Sequence, residues 1–506
     1  MTDPGVLTGF VAVLGGTSLI ALAARRLRPT AALPSLEGWA LAGRQFGTVI
    51  MWFLLGGSIF TAYTFAAVPG LAYGAGALGF FALPYTTLLC PLLFVLLPRL
   101  WRAARERSCV TVADYVRSRY ACPRLALAVA LTGILATMPY IALQLLGIRA
   151  VLNAAGVYPR GLAGDLILVV VFAVLATATY RHGLRAPTLI SMVKGPLIFG
   201  AALGVTAVAV TRLGGAGAIF DAAAHRPAST GPAGGALVLD RSLYPAYVTL
   251  ALGSALALPM YPHVLTATFA ASGEDALRRS AIGLPAWTAV LGLFGFLGIA
   301  AIAAGVFAPA GAAETAVPLL VAQLLPSLLS GAVFGALAVG ALVPAAVMSV
   351  AVATLFVRNI YTEFFFPTAT PKHELRVARA VTLVAKVGAL AFVFGLRDQD
   401  AINLQLLGGI WILQTFPAVA IGLWGRWLHR GGLLAGWAVG MVAGTLFVVS
   451  DGFSSVVQIG GVQLYAALVA LMLNLAVAGG VTAVARRRGM VDGFGPSPSQ
   501  PPAGVP

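Results

Sequence analysis

The groups in this chain that could do chemistry lie where its apolar runs are interrupted. Gly56, Gly57 and Ser58 break one run, Phe46 to Tyr73, and Pro259, Met260, Tyr261, Pro262 and His263 break another, Tyr244 to Ala271. Helix breakers free backbone N–H and C=O groups, and lipid cannot satisfy them. Such breaks persist only where protein, water or a ligand takes those groups up. Two breaks at corresponding positions of two halves point to a carrier's binding site near the membrane midplane. Half-helix N-termini there would offer free N–H groups and a positive dipole end to an anion. Tyr140 and Gln144 are four apart and share a helix face, so they either complete the site or bond neighbouring helices. His263 reads as a structural donor or as a ligand group.

Ionisable groups at depth are few. All sixteen acidic residues fall in loops or at span edges, so the paired carboxylates or metal cluster of a membrane-embedded hydrolase are missing. Lys194 and Lys386 do fall inside apolar runs. A buried ammonium costs on the order of 2.5–3.5 kcal/mol on insertion scales, so both are expected to snorkel to a nearby membrane face. The alternative for Lys194 is a role in ion coupling. Cys90, Cys109 and Cys122 form neither a disulfide framework nor a metal cluster.

These groups must be positioned by membrane helices. Hydrophobic residues make up 59% of the 506, charged residues only 9%, and mean hydropathy is +0.94. No soluble domain of this length is built so. A window of about 20 residues gives spans near 5–24, 46–73, 76–98, 125–152, 164–180, 188–211, 244–271, 281–307, 329–357, 380–396, 401–424, 432–450 and 461–484. The expected fold is thus an all-α polytopic membrane protein with about thirteen transmembrane helices. The net charge of +16 could suggest nucleic acid, but 24 of the 32 Lys and Arg fall in alternate loops and 6 in the others. That asymmetry is a topology signal and excludes nucleic acid as a partner. It puts the N-terminus outside and the C-terminus in the cytoplasm of a multi-pass plasma-membrane protein.

The chain divides into a first helix and loop (1–45), five spans (46–211), a polar excursion (212–243), five more spans (244–424), two added helices (425–488) and a disordered tail (489–506). An odd number of spans in each half forces the halves to be inverted relative to one another.

The residues also resemble a family. Ala345-Ala346-Val347-Met348-Ser349 is similar to the Ala-Ala-x-Met-Ser-Thr signature of sodium:solute symporters, and Glu37 to Arg44 is similar to the entry to that family's first core helix. Trp52 to Gly57, Thr61 to Phe65, Met138 to Gln144 and Tyr261-Pro262-His263 resemble its monocarboxylate permease branch. The resemblance runs from about residue 37 to 424. It implies a five-plus-five inverted-repeat (LeuT-type) core and symport of small monocarboxylates such as lactate or pyruvate, or short amino acids, with sodium. The substrate site would comprise Gly56, Gly57, Ser58, Tyr140, Gln144, Tyr261 and His263. Carried over, the sodium ligands would be the carbonyls of Gly56, Ile59 and Ala346 and the Ser349 hydroxyl. Val350 and Ala353 stand where the family has hydroxyls, and Ser58 where many relatives have an acid, so the ion site is short of oxygen. A proton-coupled or facilitative carrier, with Lys194 supplying the charge, is the alternative; a membrane enzyme, a sensor or a channel fits less well. No cofactor is expected beyond Na+ as a possible coupling ion, and the partners are a small organic anion and the bilayer.

Overall fold

The computed structural model describes residues 3–27, 35–158, 161, 163, 164, 166, 167, 169, 170, 183–225, 237–309, 311–395 and 401–490. Helices α1 (Pro4–Leu27) and α2 (Leu36–Leu41) lead into the first broken run, made of α3 (Thr48–Ile59), a π-turn (Tyr63–Ala67) and α4 (Val68–Ala75). Then come α5 (Ala82–Glu106), α6 (Val112–Tyr120), α7 (Pro123–Ala154), α8 (Arg185–Arg212) and α9 (Ala216–Ala224). The second broken run is α10 (Tyr244–Ala257), a 3-10 turn (Leu258–Met260) and α11 (Pro262–Phe269). It is followed by α12 (Glu274–Gly283), α13 (Pro285–Ala303), α14 (Ala316–Leu324), α15 (Ser327–Phe356), α16 (Pro371–Gly395) and α17 (Ala401–Ile412), and the described chain closes with α18 (Arg430–Ser450) and α19 (Ala466–Arg487).

Among the described residues eight helical runs are long and apolar enough to cross a bilayer, or nine when the bent run from Ala401 to Trp424 counts as one. Tyr63–Glu106 is a single run by that measure, although the chain turns inside it at Gly76, whose φ of +58° suits glycine. The helices at 4–19 and 48–59 are shorter apolar pieces of expected spans. The expected span at 164–180 and most of the expected tail lie outside the described residues. The count of thirteen is therefore not reached among them.

Two elements were not legible as spans. The apolar helix α14 is too short to cross, and an antiparallel hairpin, β1 (Val456–Ile459) with β2 (Val462–Tyr465), joins α18 to α19. Its Gly460-Gly461 turn has φ of +59° and +82° at the two positions, as a two-residue hairpin loop needs.

Helix α15 is the interior axis, 94% buried over its most apolar stretch, and it packs against α1, α7, α8 and α16. Gly9 and Gly331 let α1 and α15 meet backbone to backbone, since a Cβ at either would strike the partner's main chain. The two broken runs are antiparallel. Phe46, entering α3, pairs with Ala271 at the exit of α11: Phe46 N donates to Ala270 O (3.2 Å) and Ser272 N to Phe46 O (3.0 Å). At the opposite end Tyr247, in the first turn of α10, donates its hydroxyl to Phe80 O (3.1 Å), just past α4.

One end of the bundle is basic. Arg102 forks onto Glu274 at 2.5 and 2.7 Å, Arg117 pairs with Glu363, and Arg119 donates to the carbonyls of Gly422 (3.1 Å) and Gly425 (3.0 Å). Thr111 and Asp114 close a capping box on α6 while Asp114 accepts from Asn359 (2.7 Å). Cys109 is buried there, which pushes its thiol up to about 11. At the other end Tyr73 donates to Val306 O (2.8 Å), and Arg149 pairs at 3.1 Å with the buried Glu314.

Candidate functional site

The first break falls later than the glycines suggest. Helix α3 runs through Gly56, Gly57 and Ser58 to Ile59, and the backbone leaves the helix at Phe60 (φ −92°, ψ 93°). Gly56 is a packing glycine: a Cβ there would collide with the Trp287 indole, and its carbonyl still accepts the Phe60 N–H (2.8 Å). Gly57 faces α8, where a Cβ would meet Ser191 Cβ at 3.4 Å. The carbonyls that the break frees are taken by Lys194: its Nζ donates to Gly57 O (2.6 Å) and Phe60 O (3.1 Å), and the side chain is fully buried. The snorkelling expected for Lys194 is thereby corrected. Position along a helix does not fix which way a side chain points, and this one points inward. Lys386 is also buried, at 4% exposure.

The N–H groups of the next three residues after Thr61 are equally committed. Ala62 N donates to Gln144 Oε1 (3.0 Å), Tyr63 N to Thr61 Oγ1 (3.2 Å) and Thr64 N to Thr61 O (2.8 Å). Gln144 Nε2 donates in turn to Thr61 Oγ1 (3.3 Å) and Tyr140 O (3.1 Å). Gln144 is thus a staple across the break. Its amide is spent on backbone rather than held free for a guest.

The second break sits where expected. Tyr261 is extended (φ −64°, ψ 136°), and Pro262 opens α11. Tyr261 O accepts from both Val264 N (3.1 Å) and Leu265 N (3.2 Å). The amides of Val264 and Leu265 are therefore taken up by a local turn rather than offered to an anion. Tyr261 Oη donates to Gln405 O (3.2 Å), and the rings of Tyr140, Tyr261 and His263 pack with centroids 5.1–5.5 Å apart, Tyr140 edge-on to the other two.

What remains free is a set of buried side-chain polar atoms with no protein partner. Ser58 Oγ, Tyr63 Oη and Thr64 Oγ1 come from the first break, Ser254 Oγ and both His263 ring nitrogens from the second, and Gln405 Oε1 lies next to the Tyr261 contact. All six residues are at most 3% exposed. Of them only Ser58 and His263 were foreseen; a Thr61-x-x-Thr64 pair just after the break, and a lone glutamine in the run 401–412, were the available signals. A vestibule of about 240 Å³ opens nearby, lined by Ala67, Gly70, Tyr73, Glu314 and Ile402. Ala67 is three residues after Thr64 and Ile402 three before Gln405, so the vestibule lies about one turn from the orphaned atoms.

The expected sodium ligands fit the ion poorly. Gly56 O accepts one bond within α3 and Ser349 Oγ donates to Ala345 O (2.7 Å), so both keep lone pairs, but they are few. Ile59 and Ala346 are buried on the facing helices, but Val350 and Ala353, both fully buried, offer methyl groups where a hard cation wants oxygen. Among the described residues no cluster of His, Cys, Asp or Glu could hold a metal.

This arrangement has known counterparts. The sequence profile of the sodium:solute symporter family matches residues 39–444. A "Monocarboxylate transport permease protein" from Rhizobium johnstonii is 45% identical over 465 residues, covering 91% of this chain and 93% of that protein. The "Uncharacterized symporter YodF" of Bacillus subtilis is 31% identical over 419 residues, 80% of this chain and 81% of its own length. Among solved structures, a Na+-coupled sialic acid symporter in a substrate-bound outward-open state superposes with a TM-score of 0.75 over 95% of this chain and 98% of the other, at 15% identity, which establishes a shared fold. With its two antiparallel broken helices and a family match over most of its length, the chain belongs to the sodium:solute symporter family.

Proposed function

We propose that this symporter carries small monocarboxylates of the size of lactate or pyruvate, bound between the Phe60–Thr61 break and the Tyr261 break. The observation that carries the reading is the set of buried polar atoms left without a protein partner. About nine in ten buried polar groups are paired in folded proteins, so several unpartnered atoms carried by the two broken helices and the run after Ala401 support a place kept for a guest. The hydroxyls of Ser58, Tyr63 and Thr64 and an N–H of His263 are donors suited to a carboxylate. Gln405 Oε1 is an acceptor suited to a lactate hydroxyl. The edgewise rings of Tyr140 and Tyr261 supply an apolar wall for a short carbon chain. The amino group of an amino acid would find no carboxylate here to offset its charge, so hydroxy- and oxo-acids are favoured over short amino acids. The name borne by the Rhizobium relative supports the same class.

Gly56, Gly57 and Gln144 shape the break in this reading rather than touch the substrate. The domain boundaries at 45, 211, 243, 424 and 488 and an outside N-terminus accompany it, supported by the loop charge asymmetry. Family membership is the one ground for sodium as the coupling ion; Ile59 and Ala346 would be its least committed carbonyl ligands, but the buried Val350 and Ala353 leave that site short of side-chain oxygen. The test is exchange in proteoliposomes: external [14C]pyruvate should enter against internal lactate, and unlabelled lactate should compete well ahead of alanine. Alanine competing ahead of lactate would move the substrate class, and an absence of exchange with any of the three would refute the assignment.

A further inference from the structure

A break in a membrane helix leaves carbonyl oxygens that need a positive partner. In a sodium-coupled carrier the ion itself can be that partner. Here the place is taken from within: Lys194 Nζ lies 2.6 Å from Gly57 O and 3.1 Å from Phe60 O, spanning the last turn of α3 and the break itself. We infer that the Lys194 ammonium stands in for the coupling sodium at the first break, so that this chain runs its transport cycle without sodium.

Three observations carry the inference. The first is the geometry, because two carbonyls facing one ammonium have no room to hold a sodium ion as well. Two like charges within a few ångströms in a low-dielectric interior repel strongly. The second is the donor set. The helix facing the break, α15, offers one hydroxyl there, that of Ser349, and then the fully buried Val350 and Ala353, which carry none. An added sodium would lack the side-chain oxygens it needs. The third is the charge environment. Among the described residues no carboxylate pairs with Lys194. Helices α3, α13, α14 and α15, all packed against α8, contain no Asp, Glu, His, Cys, Lys or Arg. The other helix against it, α1, carries charge only in its last turn, at Arg25 and Arg26. Among the described residues of these helices the ammonium thus has no ionic partner. An anion bound one turn away, beside Ser58, is its natural counter-charge, as it would be for sodium. Substrate and lysine then favour each other reciprocally.

The inference rests on reading the break as the transport site, so its test has an arm that needs no substrate. In detergent, the wild-type melting temperature should be equal in sodium, potassium and choline chloride. The variant Lys194→Ala with Val350→Thr removes the internal cation and restores a hydroxyl. It should gain a sodium-specific stabilisation of about 1 °C when sodium exceeds its Kd tenfold, growing as sodium is raised further. Lys194→Arg, which keeps the charge, should stay indifferent to sodium and guards against a double variant that does not fold. In liposomes, [14C]pyruvate uptake driven by an inward proton gradient should change less than about twofold between sodium-free and sodium buffers. A sodium-specific rise in wild-type melting temperature, sodium-driven accumulation by the wild type, or a folded double variant blind to sodium would each overturn the inference. A protein that ignores pyruvate contradicts the substrate assignment alone, and the melting comparison still decides the lysine.

Discussion

Removing the Gln144 amide should loosen the first break without opening a large cavity. Gln144→Leu keeps most of the volume but deletes three polar contacts: the acceptor for Ala62 N–H (3.0 Å) and the donors to Thr61 Oγ1 (3.3 Å) and Tyr140 O (3.1 Å). Ala62 is fully buried, so its N–H finds no water. An orphaned buried amide costs about 1–3 kcal/mol. The lost bond to Thr61, which joins α7 to the break, adds about 0.6 kcal/mol by membrane-protein averages. The total, about 2–4 kcal/mol, corresponds to a shift of roughly 30-fold or more in any equilibrium that needs the break intact. Thermal unfolding followed by tryptophan fluorescence should show a drop of about 2–5 °C, and exchange should slow more than tenfold. Thr61→Val should cost less alone, and the double variant should cost less than the sum, because the pair shares one contact. Unchanged melting and exchange in Gln144→Leu would refute the staple.

Three further outcomes follow from the same geometry. Gly56→Ala should fail to accumulate or melt far below the wild type, because its methyl would enter the Trp287 indole, whereas Gly57→Ala should be near neutral, with only a 3.4 Å contact to Ser191; equal tolerance of the two, read by detergent-stable yield, would contradict this packing. Cys109, raised from an ordinary value of 9.0 to about 11, carries about a hundredfold less thiolate at neutral pH than an ordinary thiol. Iodoacetamide should therefore leave it unmodified in the folded protein at pH 7.4, with labelling rising only as pH approaches 11, and rapid labelling at pH 7.4 by mass spectrometry would show the site is open. A reporter fused after Arg488 should be active only in its cytoplasmic form; activity on the outer side would reverse the loop assignment.

Much of this was legible in the sequence, and the parts that were not share a cause. Apolar run lengths and helix breakers are one-dimensional signals, and they gave the all-helical membrane fold and the Tyr261 break, but not a confirmed count of spans. The first break was misplaced because glycine serves two purposes in membrane helices. Gly56 makes room for Trp287, while the chain actually leaves the helix at Phe60, a residue with no breaking propensity of its own. Lys194 was read as a snorkelling side chain because distance from a span end says nothing of radial direction. Gln144 was assigned to the substrate, although its partner, the Ala62 N–H, becomes visible only once the break is located. Tyr63, Thr64, Ser254 and Gln405 were passed over since each alone is an ordinary polar residue. Their shared lack of partners exists only in three dimensions.

The central claim is that atoms without protein partners at the two breaks are there for the substrate. Tyr63→Phe tests it with the loss of a single oxygen, because Tyr63 Oη is buried and accepts from and donates to nothing in the protein. Pyruvate affinity should be measured by equilibrium binding to purified wild type and variant, with melting temperature recorded alongside. The account predicts affinity lower by about tenfold or more, the worth of a hydrogen bond to a charged group, and a melting temperature unchanged or slightly raised, since no internal bond is lost. A variant that binds pyruvate as the wild type does, with the same stability, would contradict it.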